Sequence, residues 1–146
     1  MKKITIRILT VTSILTIAIA KVGSHKINAG KVTKIIDGDS VEVRLLGEEK
    51  NTRLACIDAM EAKTPMGKKS TATLQSLIPI GTTVTLNIVQ VDRYSRLVAE
   101  IYKNEELINK KMLEKGATII YPIYLNNCKG NKEKLEAAQQ KHKMNK

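Results

Sequence analysis

The chain has 146 residues, 42% hydrophobic and 27% charged. That length and balance fit one folded domain and exclude a disordered chain. It has no Trp or Phe and only four tyrosines, so Ile, Leu, Val and Ala must build the core. The net charge of +11 favours polyanionic partners, with plain solubility as the ordinary alternative. Residues 1–20 pattern as a secretory signal: Lys2, Lys3 and Arg7 precede an apolar run from Ile8 that ends in Ala18-Ile19-Ala20. An uncleaved membrane anchor and a cytosolic helix are the competing readings. Four Thr or Ser residues between Thr10 and Thr16 weaken the anchor. Cleavage after Ala20 leaves a charge of +8, from 22 basic and 14 acidic side chains. A second cleavage point lies after Ala29. The expectation is a secreted or periplasmic protein, free of the membrane once the signal is removed. Residues 21–29 then read as a short tether and 30–146 as one domain.

Strand-like alternation begins at Gly30 and runs to Ile36. Ser40 to Leu46 sets Val41, Val43 and Leu45 on one face and Glu42 and Arg44 on the other. Gly47 to Asn51 reads as a polar turn, and Thr52 to Ile57 as a third strand with Arg53 opposite Leu54 and Cys56. Lys68 to Ile78 has helical spacing and is stopped by Pro79 and Gly81. Thr82 to Val91 is rich in β-branched residues and predicts a strand. A turn at Asp92 to Ser95 leads to a strand over Leu97 to Tyr102. Leu107 to Gly116 predicts a helix, and Asn131 to His142 a last, polar one with few apolar anchors. Three strands, a helix, two strands and further helices make the order of an OB-fold, a five-stranded barrel with about three helices.

Four stretches carry the chemistry. They are Ile36-Asp37-Gly38-Asp39-Ser40, Arg53 through Glu61, Asp92-Arg93-Tyr94-Ser95-Arg96, and Gly116 through Tyr124. Each alone has an ordinary explanation: a hairpin turn, helix capping by Asp58 and Glu61, solvated arginines, or packed tyrosines. Together they supply what phosphodiester hydrolysis needs. Asp39 and Asp58 are hard oxygen ligands suited to calcium or magnesium. Glu61, read as one helical turn beyond Asp58, is placed to orient water. Arg53 and Arg96 are planar cations for phosphate. Cys56 and Cys128 allow one disulfide, or one buried and one exposed thiol; neither has CxxC spacing.

The motifs resemble the staphylococcal nuclease family in order and spacing, from about Gly30 to Tyr124. The resemblance implies a calcium-dependent endonuclease that cuts DNA and RNA and leaves 3′-phosphate ends. It implies Asp39, Asp58 and the Ala59 backbone carbonyl as metal ligands, with Asp37 behind them. It implies Arg53, Glu61 and Arg96 as catalytic residues, and Tyr94, Tyr121 and Tyr124 as substrate contacts. No stable protein partner is expected, and the protein is read as a monomer. Four features depart from the family pattern: Met60 stands where Pro is usual, Ser95 where Gly is usual, Pro122 where the staphylococcal register has a tyrosine (with Tyr121 beside it, as in many relatives), and the tail lacks the usual terminal apolar residues. Ser95 costs about 1 kcal/mol if its φ is positive. A thin tail predicts a weakly packed last helix. The rival function is an OB-type binding module that grips nucleic acid without cutting it.

Overall fold

The structure is a computed structural model that describes residues 28–145. The proposed signal and most of the tether lie outside the described residues. The first strand, β1 (Asn28–Ile35), begins two residues inside the expected tether. It pairs with β2 (Ser40–Leu45), which pairs with β3 (Glu48–Leu54). On the other side β1 pairs with β5 (Thr83–Val91), and β5 pairs with β6 (Leu97–Lys103), all antiparallel. A parallel pairing of β3 with β6, Thr52 to Leu97 through Leu54 to Ala99, closes the five strands into a mixed barrel. Closure removes the open edges that a five-stranded sheet would otherwise expose.

The expected turn at Gly47 to Asn51 is shorter than its polarity suggests. Leu46 and Gly47 turn the chain in two residues with φ of 50° and 86°, and Glu48 already belongs to β3. Two positive φ angles match the twist of a tight hairpin. The polar residues beyond it face solvent and pair across the strands, as Arg44 and Glu49 do at 2.5 Å. Polarity here marks an outer face and not a loop.

Cys56, at φ 65°, breaks the third predicted strand. The chain resumes as β4 (Ile57–Asp58), which pairs with β8 (Ile119–Ile120). Helix α1 (Pro65–Leu77) starts three residues before the predicted point, because Thr64 caps it by accepting from the Gly67 N–H and Pro65 suits the first turn. A two-residue β7 (Glu106–Leu107) precedes α2 (Ile108–Glu114). A 3-10 helix over Pro122–Cys128, absent from the sequence reading, makes a fourth helix.

The last helix, α3 (Lys132–Met144), corrects the expectation of weak packing. Leu135 is fully buried and Ala138 almost so. The Gln139 side chain accepts from the Ile120 N–H at 2.7 Å, tying α3 to β8. Few apolar residues suffice because both that count fall on one face. None of the helices among the described residues is long and apolar enough to cross a membrane.

The barrel core contains Val32, Val41, Val43, Leu54, Leu86 and Ile101, with Met112 and Leu113 of α2 packed on it. Cys56 and Cys128 are joined in a disulfide across a sequence separation of 72. A loop of that length is worth about 4 kcal/mol by chain entropy. Buried Asn109 donates to the Ala55 and Ala99 carbonyls and accepts from the Ile101 N–H. It fills the gap where β3 leaves β6, just before the chain reaches Asp58.

Candidate active site

The β1–β2 connection is a carboxylate turn. The Asp39 N–H donates to Asp37 Oδ1 at 3.0 Å, so Asp37 shapes the backbone that presents Asp39. Gly38 is required here by space: a Cβ would run into Ser70 of α1 and Ala59. Asp39 is 4% exposed. Its Oδ2 accepts from the Ala59 N–H at 2.8 Å, and its Oδ1 from the Ser40 hydroxyl at 3.0 Å.

Arg53 lies beside this turn because Ser40 and Arg53 are register partners of β2 and β3. Its guanidinium bridges two carboxylates, Asp39 Oδ1 at 2.7 Å and Asp58 Oδ1 at 2.5 Å. Asp58 is fixed from the other side by its backbone pairing with Ile119. The structure therefore brings Asp39, Arg53, Asp58 and Ala59 into one connected cluster. Burial pushes the Asp39 carboxyl above its ordinary value, aided by nearby Asp37 and opposed by Arg53, Ala59 and Ser40.

Glu61 follows Asp58 by three residues, but not on a helix as expected. Residues 59–61 are irregular, and α1 begins only at Pro65. What holds Glu61 is its carbonyl, which accepts from the Thr64 N–H at 2.9 Å and the Thr64 hydroxyl at 2.7 Å. Gly67 packs against that carbonyl so closely that a Cβ has no room. The Glu61 side chain is exposed and has no hydrogen-bond or ion-pair partner among the described residues. Met60 is 55% exposed, so no packing replaces the rigidity a Pro would bring.

Arg96 precedes β6, whose Leu97 sits beside Thr52, the residue before Arg53, but the Arg96 side chain is held by Asp92 and is not joined to the cluster. Asp92 organises its turn, accepting from the Tyr94 and Arg96 N–H groups and from Arg96 Nε at 2.7 Å. Burial raises the Asp92 pKa, but the bonds from Arg96 and Tyr94 outweigh it and hold the carboxyl below its ordinary value. Ser95 has φ 61°, so the cost anticipated for a residue other than Gly applies. Tyr94 is 64% exposed, with the Arg93 and Arg96 guanidinium groups 4.9 and 5.5 Å from its ring centre. Tyr121 and Tyr124 form an edge-to-face pair at 4.9 Å. They hang from the disulfide region: the Tyr121 N–H donates to the Cys56 carbonyl, and Cys128 ends the helix carrying Tyr124.

Sequence reasoning missed Asn109, Gly67 and Thr64, which hold the backbone around the cluster. The capping pair Thr64-Pro65 was a readable signal. Asn109 gave none, since a lone Asn in a helical pattern usually faces water.

A closed five-stranded barrel of OB type, with a carboxylate–guanidinium cluster beside its β1–β2 turn, defines the class of fold. The family model described as "Staphylococcal nuclease homologue" matches residues 51–146, and the chain belongs to that family. It is 36% identical over 96 residues to an Escherichia coli O157:H7 protein named "Uncharacterized endonuclease", covering 65% of this chain and 62% of that one. A Haemophilus influenzae protein of the same name is 33% identical over 126 residues, covering 82% and 70%. "Staphylococcal-like nuclease CAN1" of Arabidopsis thaliana is 30% identical over 117 residues, covering 80% of this chain and 35% of that one. The chain thus spans less than two thirds of the Escherichia coli relative.

Proposed function

We propose that this protein is an exported, calcium-dependent endonuclease that hydrolyses phosphodiester bonds in DNA and RNA to 3′-phosphate products. The observation that carries the reading is the bridge of Arg53 to both Asp39 and Asp58. Two carboxylates that share one guanidinium already converge on a cation. The donor set also fits a hard divalent ion: both are oxygen ligands, and the burial that raises Asp39 is what a second positive charge would offset. No group of three or more His, Cys, Asp or Glu side chains among the described residues is arranged to hold a metal, so the set needs backbone, water or phosphate oxygens. Asp39, Asp58 and the Ala59 carbonyl would hold calcium, or magnesium, whose chemistry there is to neutralise phosphate charge and acidify bound water.

The remaining roles belong to side chains. Glu61, exposed and unpaired, takes a proton from the attacking water or orients it. The water oxygen bonds to phosphorus, the bond to the 5′ oxygen breaks, that oxygen takes a proton from solvent water, and the products are a 3′-phosphate and a 5′-hydroxyl. Arg53 and Arg96 exchange carboxylate partners for phosphate oxygens and stabilise the added charge. Tyr94, Tyr121 and Tyr124 offer ring faces for nucleotides. Export is supported by the pattern of residues 1–20 alone.

One observation favours the binding-module reading: both arginines are engaged by carboxylates, Arg53 by two and Arg96 by one. The mature protein incubated with DNA and RNA in calcium, in magnesium and in excess chelator separates the two. Divalent-dependent cutting, stopped by chelation, is expected. A gel shift without loss of nucleic acid would establish the binder, and full activity in chelator would remove the metal.

A further inference from the structure

The Glu61 side chain has no partner among the described residues, so only its backbone can aim it. That backbone is strung between two fixed points. Upstream, the Ala59 N–H donates to Asp39 Oδ2 at 2.8 Å. Downstream, the Glu61 carbonyl meets the first turn of α1. There the Thr64 hydroxyl makes two bonds. It accepts from the Gly67 N–H at 3.0 Å, which caps the helix, and it donates to the Glu61 carbonyl at 2.7 Å. A cap uses only the acceptor. The donated bond falls on the residue that carries the carboxylate.

Gly67 adds a steric stop. A Cβ there would collide with the carbonyl oxygens of both Met60 and Glu61. Inside a helix Gly is disfavoured against Ala, and here the close approach of another backbone requires it. One turn further on, buried Ser70 lies against Gly38 of the Asp39 turn, and its hydroxyl donates to the Ala117 carbonyl. The same face of α1 thus abuts both the Glu61 carbonyl and the carboxylate turn. We propose that Thr64 and Gly67 are positioning residues for Glu61. The cap of α1 doubles as a clamp that sets the Glu61 carboxylate at a fixed offset from Asp39 and Asp58, a constraint that exposed Met60 does not supply. The inference rests on the proposed nuclease function and adds two residues outside the four stretches named from the sequence.

The test is a double-mutant cycle on DNA cleavage in saturating calcium. Thr64→Val and Gly67→Ala are each placed in the parent and in Glu61→Gln. Thr64→Ser, which keeps both hydroxyl bonds, is the conservative control. In the parent, Thr64→Val and Gly67→Ala should each lower kcat about tenfold or more, because a small displacement of a catalytic group is costly in rate. KM and the calcium Kd, read by calorimetry, should stay within about twofold, since Asp39, Arg53 and Asp58 are untouched. In Glu61→Gln the same changes should lower kcat by less than about twofold, because no carboxylate is left to aim. Thr64→Ser should keep the parent kcat. Gly67→Ala leaves the capping hydroxyl in place, so it tests the clamp even if Thr64→Val does not fold. An equal fractional loss of kcat in both backgrounds, or the parent kcat in both variants, would reduce Thr64 and Gly67 to a helix cap and overturn the inference. If the parent cuts and Glu61→Gln cuts as fast, the nuclease reading stands and this inference falls. If the parent cuts no DNA, the nuclease reading fails first and takes this inference with it.

Discussion

Two carboxylates are buried in this barrel, Asp39 and Glu100, at 4% and 3% exposure, and they are satisfied in opposite ways. Asp39 is bound to a cation, Arg53, which it shares with half-exposed Asp58. Glu100 is held by neutral donors. Its Oε2 accepts from the Asn87 amide at 2.7 Å and the Tyr102 hydroxyl at 3.4 Å, and its Oε1 from the Asn131 amide at 3.0 Å. Asn131 also donates to the Tyr102 hydroxyl, and burial, with Glu100 second, raises the Tyr102 pKa. The Glu100 network joins β5 and β6 to the start of α3, which makes it a structural joint although it lines a cavity of about 960 Å³. The Asp39 cluster shares its cation with a half-exposed carboxylate. Burial alone does not distinguish these two carboxylates; the kind of partner does.

The largest expected effect comes from removing that cation. Arg53→Leu leaves Asp39 buried and uncompensated, a loss of roughly 3–5 kcal/mol, or about 10 °C in Tm. Calcium should restore part of it, because a ligand that binds only the folded state stabilises it. Thermal unfolding with and without calcium reads both. A variant as stable as the parent would mean Arg53 does not compensate Asp39.

One substitution chemistry placed at two sites then separates them. Glu61→Gln should lower kcat on DNA by about 100-fold or more without moving Tm, since the Glu61 side chain has no partner to lose. Glu100→Gln should do the reverse. Its amide turns a donor toward a neighbouring amide donor, costing about 1–3 kcal/mol, while cleavage persists. Equal kinetic losses in both would erase the distinction.

Acid sharpens the comparison further. The folded pKa of Asp39 is raised, so the native state keeps this proton at a pH where the unfolded chain has lost it. Its contribution to stability therefore grows as pH falls through that window. Activity runs the other way, because a protonated Asp39 is a poor ligand. The calcium requirement for cleavage should rise as pH falls through that window, because protons and calcium compete for Asp39, and a requirement unchanged by acid would disconnect Asp39 from the metal. The smallest effect is Ser95→Gly, which should raise stability by about 1 kcal/mol by relieving a positive φ, measured by denaturant unfolding.

Much of the barrel was readable because period-two alternation survives in β1 and β2 and β-branched residues fill β5. The Asp39, Arg53 and Asp58 cluster and the separate Asp92–Arg96 turn were readable because family motifs carry those residues in fixed order. Other features lay beyond sequence reasoning for physical reasons. The β3–β6 closure joins strands far apart in the chain and leaves no local trace. β4 and β8 are two residues each, too short for a period. The irregular path from Asp58 to Glu61 depends on Gly67 packing against a carbonyl, a contact made by another element. Glu100 lies in the strand predicted over Leu97 to Tyr102, but its burial comes from Asn87 and Asn131 on other elements, which no local pattern announces.

The parallel seam between β3 and β6 has a consequence in time. It joins residues 52–54 to 97–99, and the disulfide then joins 56 to 128. A chain emerging from synthesis holds Asp39, Arg53 and Asp58 early and can pair β3 with β2, yet β3 gains its second neighbour only when Leu97 to Ala99 arrive, and Asp58 its partner only with Ile119. Such distant pairings form slowly and together. The cluster is thus latent through most of the chain's manufacture, and its geometry comes into being only with the last third.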